Sequence, residues 1–349
     1  MTEQTIETPP APQSRPPRAL RVALLLGASL FALGLCELGL RATGFKFLLY
    51  PEGVKFGYPD PQVLNDYFKP HERLLWVKPD YNERLKAARA QPPHLLLTGC
   101  SCTDWGEFGK VVAAQVERTP GAAPLHYSNL ACAGWSSFQG LQQMKTDVVA
   151  LKPKVVTIYF GWNDHWLGFG VDDATAARLT SSPLLLKLQQ LRLAQLVSKY
   201  LVDHQADDAG RVGAQSRPMR VSLDDFRSNI EAMIEIAREN DIIPVLMTAP
   251  TTHQVGKEPS YLTERWIEDL SDLIPLHQRY VSVVREIAET KDVVLCDLAT
   301  TFEQLPQDRR AQFMRVDGIH FTPPGATFVG RELFRCLTEN RLLPPAEDG

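Results

Sequence analysis

The sequence predicts an α/β domain built on a parallel sheet and preceded by one membrane-spanning helix. Three observations carry that reading. Five short apolar runs, Leu95–Thr98, Leu125–Leu130, Val155–Phe160, Ile242–Met247 and Val293–Cys296, alternate with helix-like stretches at about 106–118, 137–150, 222–240, 263–290 and 324–338. Strands alternating with helical stretches are the pattern of a parallel sheet with covered faces. The run at Leu95 stops at Gly99, as a buried strand does on meeting a turn. Finally, Leu20–Leu40 (LRVALLLGASLFALGLCELGL) would reach about 31 Å as a helix, enough to cross the hydrocarbon core of a bilayer.

Composition narrows the function classes. At 44% hydrophobic and 22% charged residues over 349 positions, the chain has ample material for an ordinary core. A formal net charge of −4 gives no basic field, so a nucleic-acid partner is not expected. Six cysteines, at 36, 100, 102, 132, 296 and 336, lack the paired spacing of a zinc site and are too few for a disulfide framework, which leaves room for one isolated bridge. His94, His126 and His165 have no partner at metal-ligand spacing; neither a metal nor a cofactor is expected.

Taken in order, residues 1–19 are polar and Pro-rich and read as a disordered cytoplasmic tail. The anchor occupies 20–41. Arg15 and Arg18 precede it and Arg21 lies at its start, which keeps the N-terminus inside and exports the rest. Glu37 and Arg41, one helical turn apart, pair at its outer boundary. A cleaved signal peptide competes with this reading, but no A-x-A-like site follows the apolar run; Leu35 before Cys36 argues against lipidation. Residues 42–93 form an aromatic, Pro-punctuated extracytoplasmic connector whose Trp76 either lines a groove or packs the connector onto the domain, the second being preferred. The α/β domain spans 94–340, with an insertion at about 165–220 that holds an amphipathic run, Leu184–Val202, and a polar loop read as a lid; 341–349 is a tail.

Four blocks suggest chemistry. Gly99-Cys100-Ser101 follows the first strand, where open α/β sheets place their ligands; taken alone, it reads as a turn with Ser101 capping a helix. Asn129–Gly134 follows the second strand, Gly161-Trp162-Asn163-Asp164 the third, and Asp317-Gly318-Ile319-His320 lies before the last helix. Each has a bland reading as a turn, cap or surface pair. Together they supply what acyl transfer needs: a nucleophile, a base, a group that orients the base, and oxyanion donors. Ser101 needs an imidazole to take its proton, and His320 provides one. Asp317, three residues earlier, reaches the other ring nitrogen. Gly134 allows close backbone approach and Asn163 offers a neutral amide donor.

Ser101, Gly134, Asn163 and His320, in this order and context, resemble the SGNH (GDSL-type) serine hydrolases over roughly residues 94–338. The resemblance implies a flavodoxin-like three-layer α/β/α sandwich around a five-stranded parallel sheet. It implies Ser101 as nucleophile, His320 as base and Asp317 as its orienter, with the Ser101 and Gly134 amides and the Asn163 side chain as oxyanion hole. The layout also resembles membrane-anchored bacterial members, some of which act on acyl groups of exported polysaccharides. One departure is visible: the family's Gly-Asp-Ser is Gly-Cys-Ser here, with Cys100 in place of the aspartate.

The reading that follows is an extracytoplasmic, single-pass esterase of the plasma or inner membrane, with the domain in the periplasm if the cell is Gram-negative. It hydrolyses small acyl esters, such as acetyl esters, on carbohydrate through an acyl-serine. Two alternatives stand beside it: an O-acyltransferase acting on an exported polysaccharide, and a catalytically degenerate glycan-binding or assembly component. A disulfide from Cys132 to Cys100 or Cys102 would brace the oxyanion loop in place of the missing aspartate.

Overall fold

A computed structural model describes residues 17–46, 67–168, 171–181, 184, 188, 191–209, 218–264 and 266–345. Most of the N-terminal tail, part of the connector, the polar loop of the insertion and the last residues of the C-terminal tail lie outside the described residues.

Two sheets are present among the described residues. The small one is an antiparallel hairpin, β1 (Lys69–His71) against β2 (Leu75–Val77), with Pro70 opposite Trp76. The large one comprises β3 (Leu95–Gly99), β4 (Tyr127–Asn129), β5 (Val155–Tyr159), β6 (Ile243–Met247) and β7 (Val294–Cys296), all parallel, in the order β4-β3-β5-β6-β7. Counted within this sheet the order is 2-1-3-4-5, that of flavodoxin-like folds. Every residue of β3 and β5 is buried, which is why these strands read as unbroken apolar runs. Helices Phe108–Glu117 and Pro323–Glu339 pack closely together, Gly330 lying against Val111 and the Phe108 carbonyl. Ser137–Gln143, Leu223–Glu239 and Leu273–Thr290 form a second group. The result is a three-layer sandwich.

Two elements depart from the sequence reading. The helix expected from 263 begins only at Leu273. Asp269 caps a 3₁₀ turn over Leu270–Asp272, and Pro275, which has no N–H, must sit in a first turn. The connector carries the hairpin and helix Tyr81–Ala90, whose Tyr81 hydroxyl donates to Asp147 at 2.8 Å. Asp147 lies in a π-helical turn, Met144–Val148, continuing from Ser137–Gln143.

Helix Arg18–Ala42 is long and apolar enough to cross a membrane, and none of its residues is buried in the protein. Glu37 pairs with Arg41 (2.8 Å) as expected and also reaches the insertion. Its carboxylate accepts the backbone N–H groups of Arg192 and Leu193 at 3.0 and 2.9 Å, at the start of helix Arg192–Ala209. An anion there satisfies otherwise unpaired amides and favours the helix dipole.

The disulfide expectation is corrected. Cys100, Cys102 and Cys132 are buried free thiols, and the bridge joins Cys296 at the end of β7 to Cys336 on the last helix. Cys102 instead donates to the Ile319 carbonyl, and the Cys132 thiol donates weakly back to Ala133. The Cys296–Cys336 loop encloses 40 residues of separation, including the Asp317–His320 block; closing it is worth about 4 kcal/mol by chain entropy.

Candidate active site

The site lies beyond the carboxyl ends of β3 and β5, adjacent strands between which the chain reverses its direction of travel across the sheet. Ligands of open α/β sheets bind at such switch points. Gly99 ends β3 at φ +152°, and a Cβ there would come 2.8 Å from the Tyr159 carbonyl oxygen. Only glycine lets β3 turn this close to β5. Ser101 then opens a short helix, Ser101–Asp104, so its backbone N–H has no intrahelical acceptor.

His320 Nε2 lies 2.8 Å from Ser101 Oγ, and His320 Nδ1 lies 2.8 Å from Asp317 Oδ2. The other Asp317 oxygen accepts the backbone N–H groups of Ile319 and His320, each at 2.9 Å. Partial burial pushes the Asp317 carboxyl up, but the His320 ring and these two amides outweigh it and hold the group at about 2. An ionised Asp317 only accepts, so Nδ1 carries its proton and Nε2 is left to accept from the serine hydroxyl. His253 steadies the same loop by donating from Nε2 to the Asp317 carbonyl at 2.8 Å.

Gly134, at φ +80°, sits in a backbone segment fastened at two of its carbonyls. The Ala133 carbonyl accepts from the Trp76 indole N–H (3.2 Å), and the Gly134 carbonyl accepts from Arg220 (2.8 Å). The Gly134 N–H has no acceptor among the described residues. Arg220 is only 1% exposed and forms a two-contact ion pair with the fully buried Asp173, which also accepts from Ser136 at 2.6 Å. Asn163 donates one amide hydrogen to the Trp135 carbonyl (3.0 Å) and lines the cavity, leaving its second hydrogen for a ligand. Asp164 ties this block down by accepting from Ser137 and Gly161 N–H at 2.7 and 2.9 Å. All five site residues expected from the sequence therefore line one cavity.

Sequence reasoning did not find the supports. Trp76 both packs the connector and lines the cavity, so the two readings offered for it are compatible. Asp104 is buried and paired with Lys78 at 2.9 Å. The cavity encloses about 200 Å³, and five of the six tryptophans (Trp76, Trp105, Trp162, Trp166, Trp266) line it. None of Cys100, Cys102 and Cys132 does. Behind Trp162, His277 stacks on its ring with centroids 3.8 Å apart, donates to the Ala249 carbonyl and accepts from His165.

That buried pair makes the fold acid-sensitive. Burial pushes His277 down to about 4 and His165 well below its usual value. The unfolded chain binds a proton at His277 near pH 6.5 while the folded chain does not. Stability from this group is thus complete above 6.5 and lost as pH falls to about 4, a change of about 3 kcal/mol. Asp164, whose carboxyl burial pushes up to about 6, works in the opposite direction over the same range. His277→Gln removes one contribution and leaves the other, so urea midpoints between pH 7 and 4 should fall less in the variant. Parallel curves would contradict this account of His277.

No curated protein matches the sequence. Among solved structures, the protein is similar to a lipase/acylhydrolase from Enterococcus faecalis (18% identity, TM-score 0.47, covering 73% of this chain and 98% of that one). It is also similar to a GDSL-like lipase from Bacteroides thetaiotaomicron (16%, 0.44, 76% and 97%) and an acetylxylan esterase from Geobacillus stearothermophilus (16%, 0.43, 70% and 93%). The sequence profile of the GDSL-like lipase/acylhydrolase family matches residues 96–328, from the second residue of β3 into the last helix. Because that single match takes in the serine turn, the Gly134 and Asn163 blocks and the His320 loop without a break, the chain belongs to the GDSL-like lipase/acylhydrolase family.

Proposed function

We propose that this protein is a membrane-anchored, extracytoplasmic serine esterase that removes a small acyl group from a carbohydrate ester. The observation that carries the chemistry is the unbroken Asp317–His320–Ser101 relay, 2.8 Å at each step, opening onto the cavity. Ser101 Oγ attacks the ester carbonyl as His320 Nε2 takes its proton. The oxyanion is met by the Ser101 and Gly134 N–H groups and the free Asn163 amide hydrogen. His320 then protonates the leaving alcohol, and water, deprotonated by His320, releases the acid from Ser101.

Location outside the cytoplasm is supported by the arginines at the N-terminal end of the apolar helix and by the Cys296–Cys336 bridge, which suits an oxidising compartment. The carbohydrate alcohol is supported by the anchored layout. Trp105 and Tyr261, 42% and 44% exposed at the cavity rim, also offer faces on which a sugar ring can stack.

The test uses the full-length chain in detergent with acylated sugars. A serine-directed phosphonate should label Ser101, and free acid should appear at a rate insensitive to added sugar acceptor. Asn163→Ala should lower kcat by roughly 10²–10³-fold. Transfer of the acyl group to added sugar, with slow release in water alone, would replace the hydrolase reading with a transferase using the same acyl-serine. Absence of both labelling and Ser101-dependent turnover would sink the enzymatic reading and leave the binding component.

A further inference from the structure

We infer that helix Arg192–Ala209 of the insertion begins in the outer leaflet of the bilayer, with Leu191, Leu196 and Val197 in contact with lipid, so that the domain has a second membrane attachment beside its anchor. This rests on the membrane-anchored reading above and concerns how the domain meets the lipid surface.

The first support is depth. Arg21 and Arg41 bracket the anchor about twenty residues apart, which at helical rise is about 30 Å, the thickness of the hydrocarbon core. Glu37 is one turn short of Arg41, about 6 Å to the membrane side of that outer boundary. The Arg192 and Leu193 amides are bonded to the Glu37 carboxylate at 3.0 and 2.9 Å, so the first turn of their helix is held at the same level. The contact suits that depth. A carboxylate and two helix-end amides would each be costly there unpaired; together with Arg41 they satisfy one another.

The second support is a helix turned inside out. Leu193, Leu196, Val197 and Tyr200 recur at the three- and four-residue spacings of one helix face. The last three of these are exposed, whereas Gln195, on the opposite face, is buried and accepts from Arg192 at 2.8 Å. A helix packed on a protein core in water shows the reverse. Leu184, Leu188 and Leu191, just before it, are exposed as well. Of the eleven large hydrophobics exposed outside the anchor among the described residues, six therefore fall in this one segment, too many in one place for an ordinary wet surface. The segment adjoins the anchor, whose own residues are likewise unburied, and one lipid phase covers both. Each methylene moved from water into that phase favours attachment about fourfold.

The experiment places a photoreactive diazirine amino acid at Leu30, Val197 or Val255 of the full-length chain in phosphatidylethanolamine/phosphatidylglycerol proteoliposomes and counts lipid adducts by mass spectrometry. Val197 should capture lipid within about threefold of Leu30 in the anchor, and Val255, an exposed turn residue, about tenfold less than Val197. Hydroxyl-radical footprinting asks the same of the unsubstituted chain. Tyr200 should be oxidised about fivefold more slowly than Tyr261 in proteoliposomes, although the protein itself leaves Tyr200 the more exposed of the two. Lipid on Leu30 with none on Val197, equal capture at Val255, protein adducts in place of lipid at Val197, or equal oxidation of the two tyrosines overturns the second attachment and leaves the anchor reading intact. Absence of lipid on Leu30 overturns both.

Discussion

Ser101→Ala lowers kcat by roughly 10⁶-fold on any ester the protein turns over, and His320→Ala does nearly the same. The magnitude follows from how the two groups act. The hydroxyl is a weak nucleophile unless its proton leaves as the carbonyl is attacked, and the imidazole 2.8 Å away is positioned to take it. Removing either member disables the same step, so Ser101→Ala/His320→Ala costs little more than either single change. Asp317→Asn is severe for another reason: an amide facing Nδ1 favours the wrong tautomer of His320. Steady-state kinetics with thermal denaturation in parallel decides the matter. Additive losses in the double variant would mean that Ser101 and His320 do not share a step.

Arg220→Met destabilises the fold by about 3–5 kcal/mol, because it strands the carboxylate of Asp173 at 0% side-chain exposure. Adding Asp173→Leu removes the uncompensated charge and should restore most of that stability, since an apolar pair can replace a buried ion pair at little cost. Turnover should not return with it. Arg220 also holds the Gly134 carbonyl at 2.8 Å, and neither methionine nor leucine can donate there. We expect kcat in the double variant to stay down by about tenfold with KM little changed, the mark of a loosened oxyanion donor. Urea denaturation and kinetics on the three chains check both halves. A stable double variant with wild-type kcat would show that Arg220 serves the fold alone.

Strands β3, β5 and β6 could be read from the sequence because burial on both faces leaves a run of apolar residues with little else to mean. Three of the four blocks could be read because each stands next to a strand end, where chemistry-bearing residues stand out against apolar runs; the fourth, Asp317–His320, lies just before the last helix. The supports were hidden for definite reasons. Three-residue strands such as β1 and β2 are too short to show a period, so Trp76 gave no sign that its indole meets Ala133, 57 positions away. Arg220 stands beside a polar loop, and arginine in such company reads as surface; its burial depends on Asp173, 47 positions earlier. Cysteine pairing is fixed by the packing of β7 against the last helix, and proximity to Ser101 was a poor guide to it.

The carboxylate that Glu37 lends to helix Arg192–Ala209 has a practical consequence. Leu191, just before that helix, has no acceptor to cap it, so the acceptor comes from the anchor. A chain trimmed to begin at Phe45 for soluble production discards the anchor and the cap together. It also leaves Leu196, Val197 and Tyr200, already 41–57% exposed, on a helix with nothing to start it. Poor solubility of such a truncation would report a frayed insertion, with the serine site still whole. Leu191→Asp, giving the helix a carboxylate of its own, is the substitution to make alongside the cut.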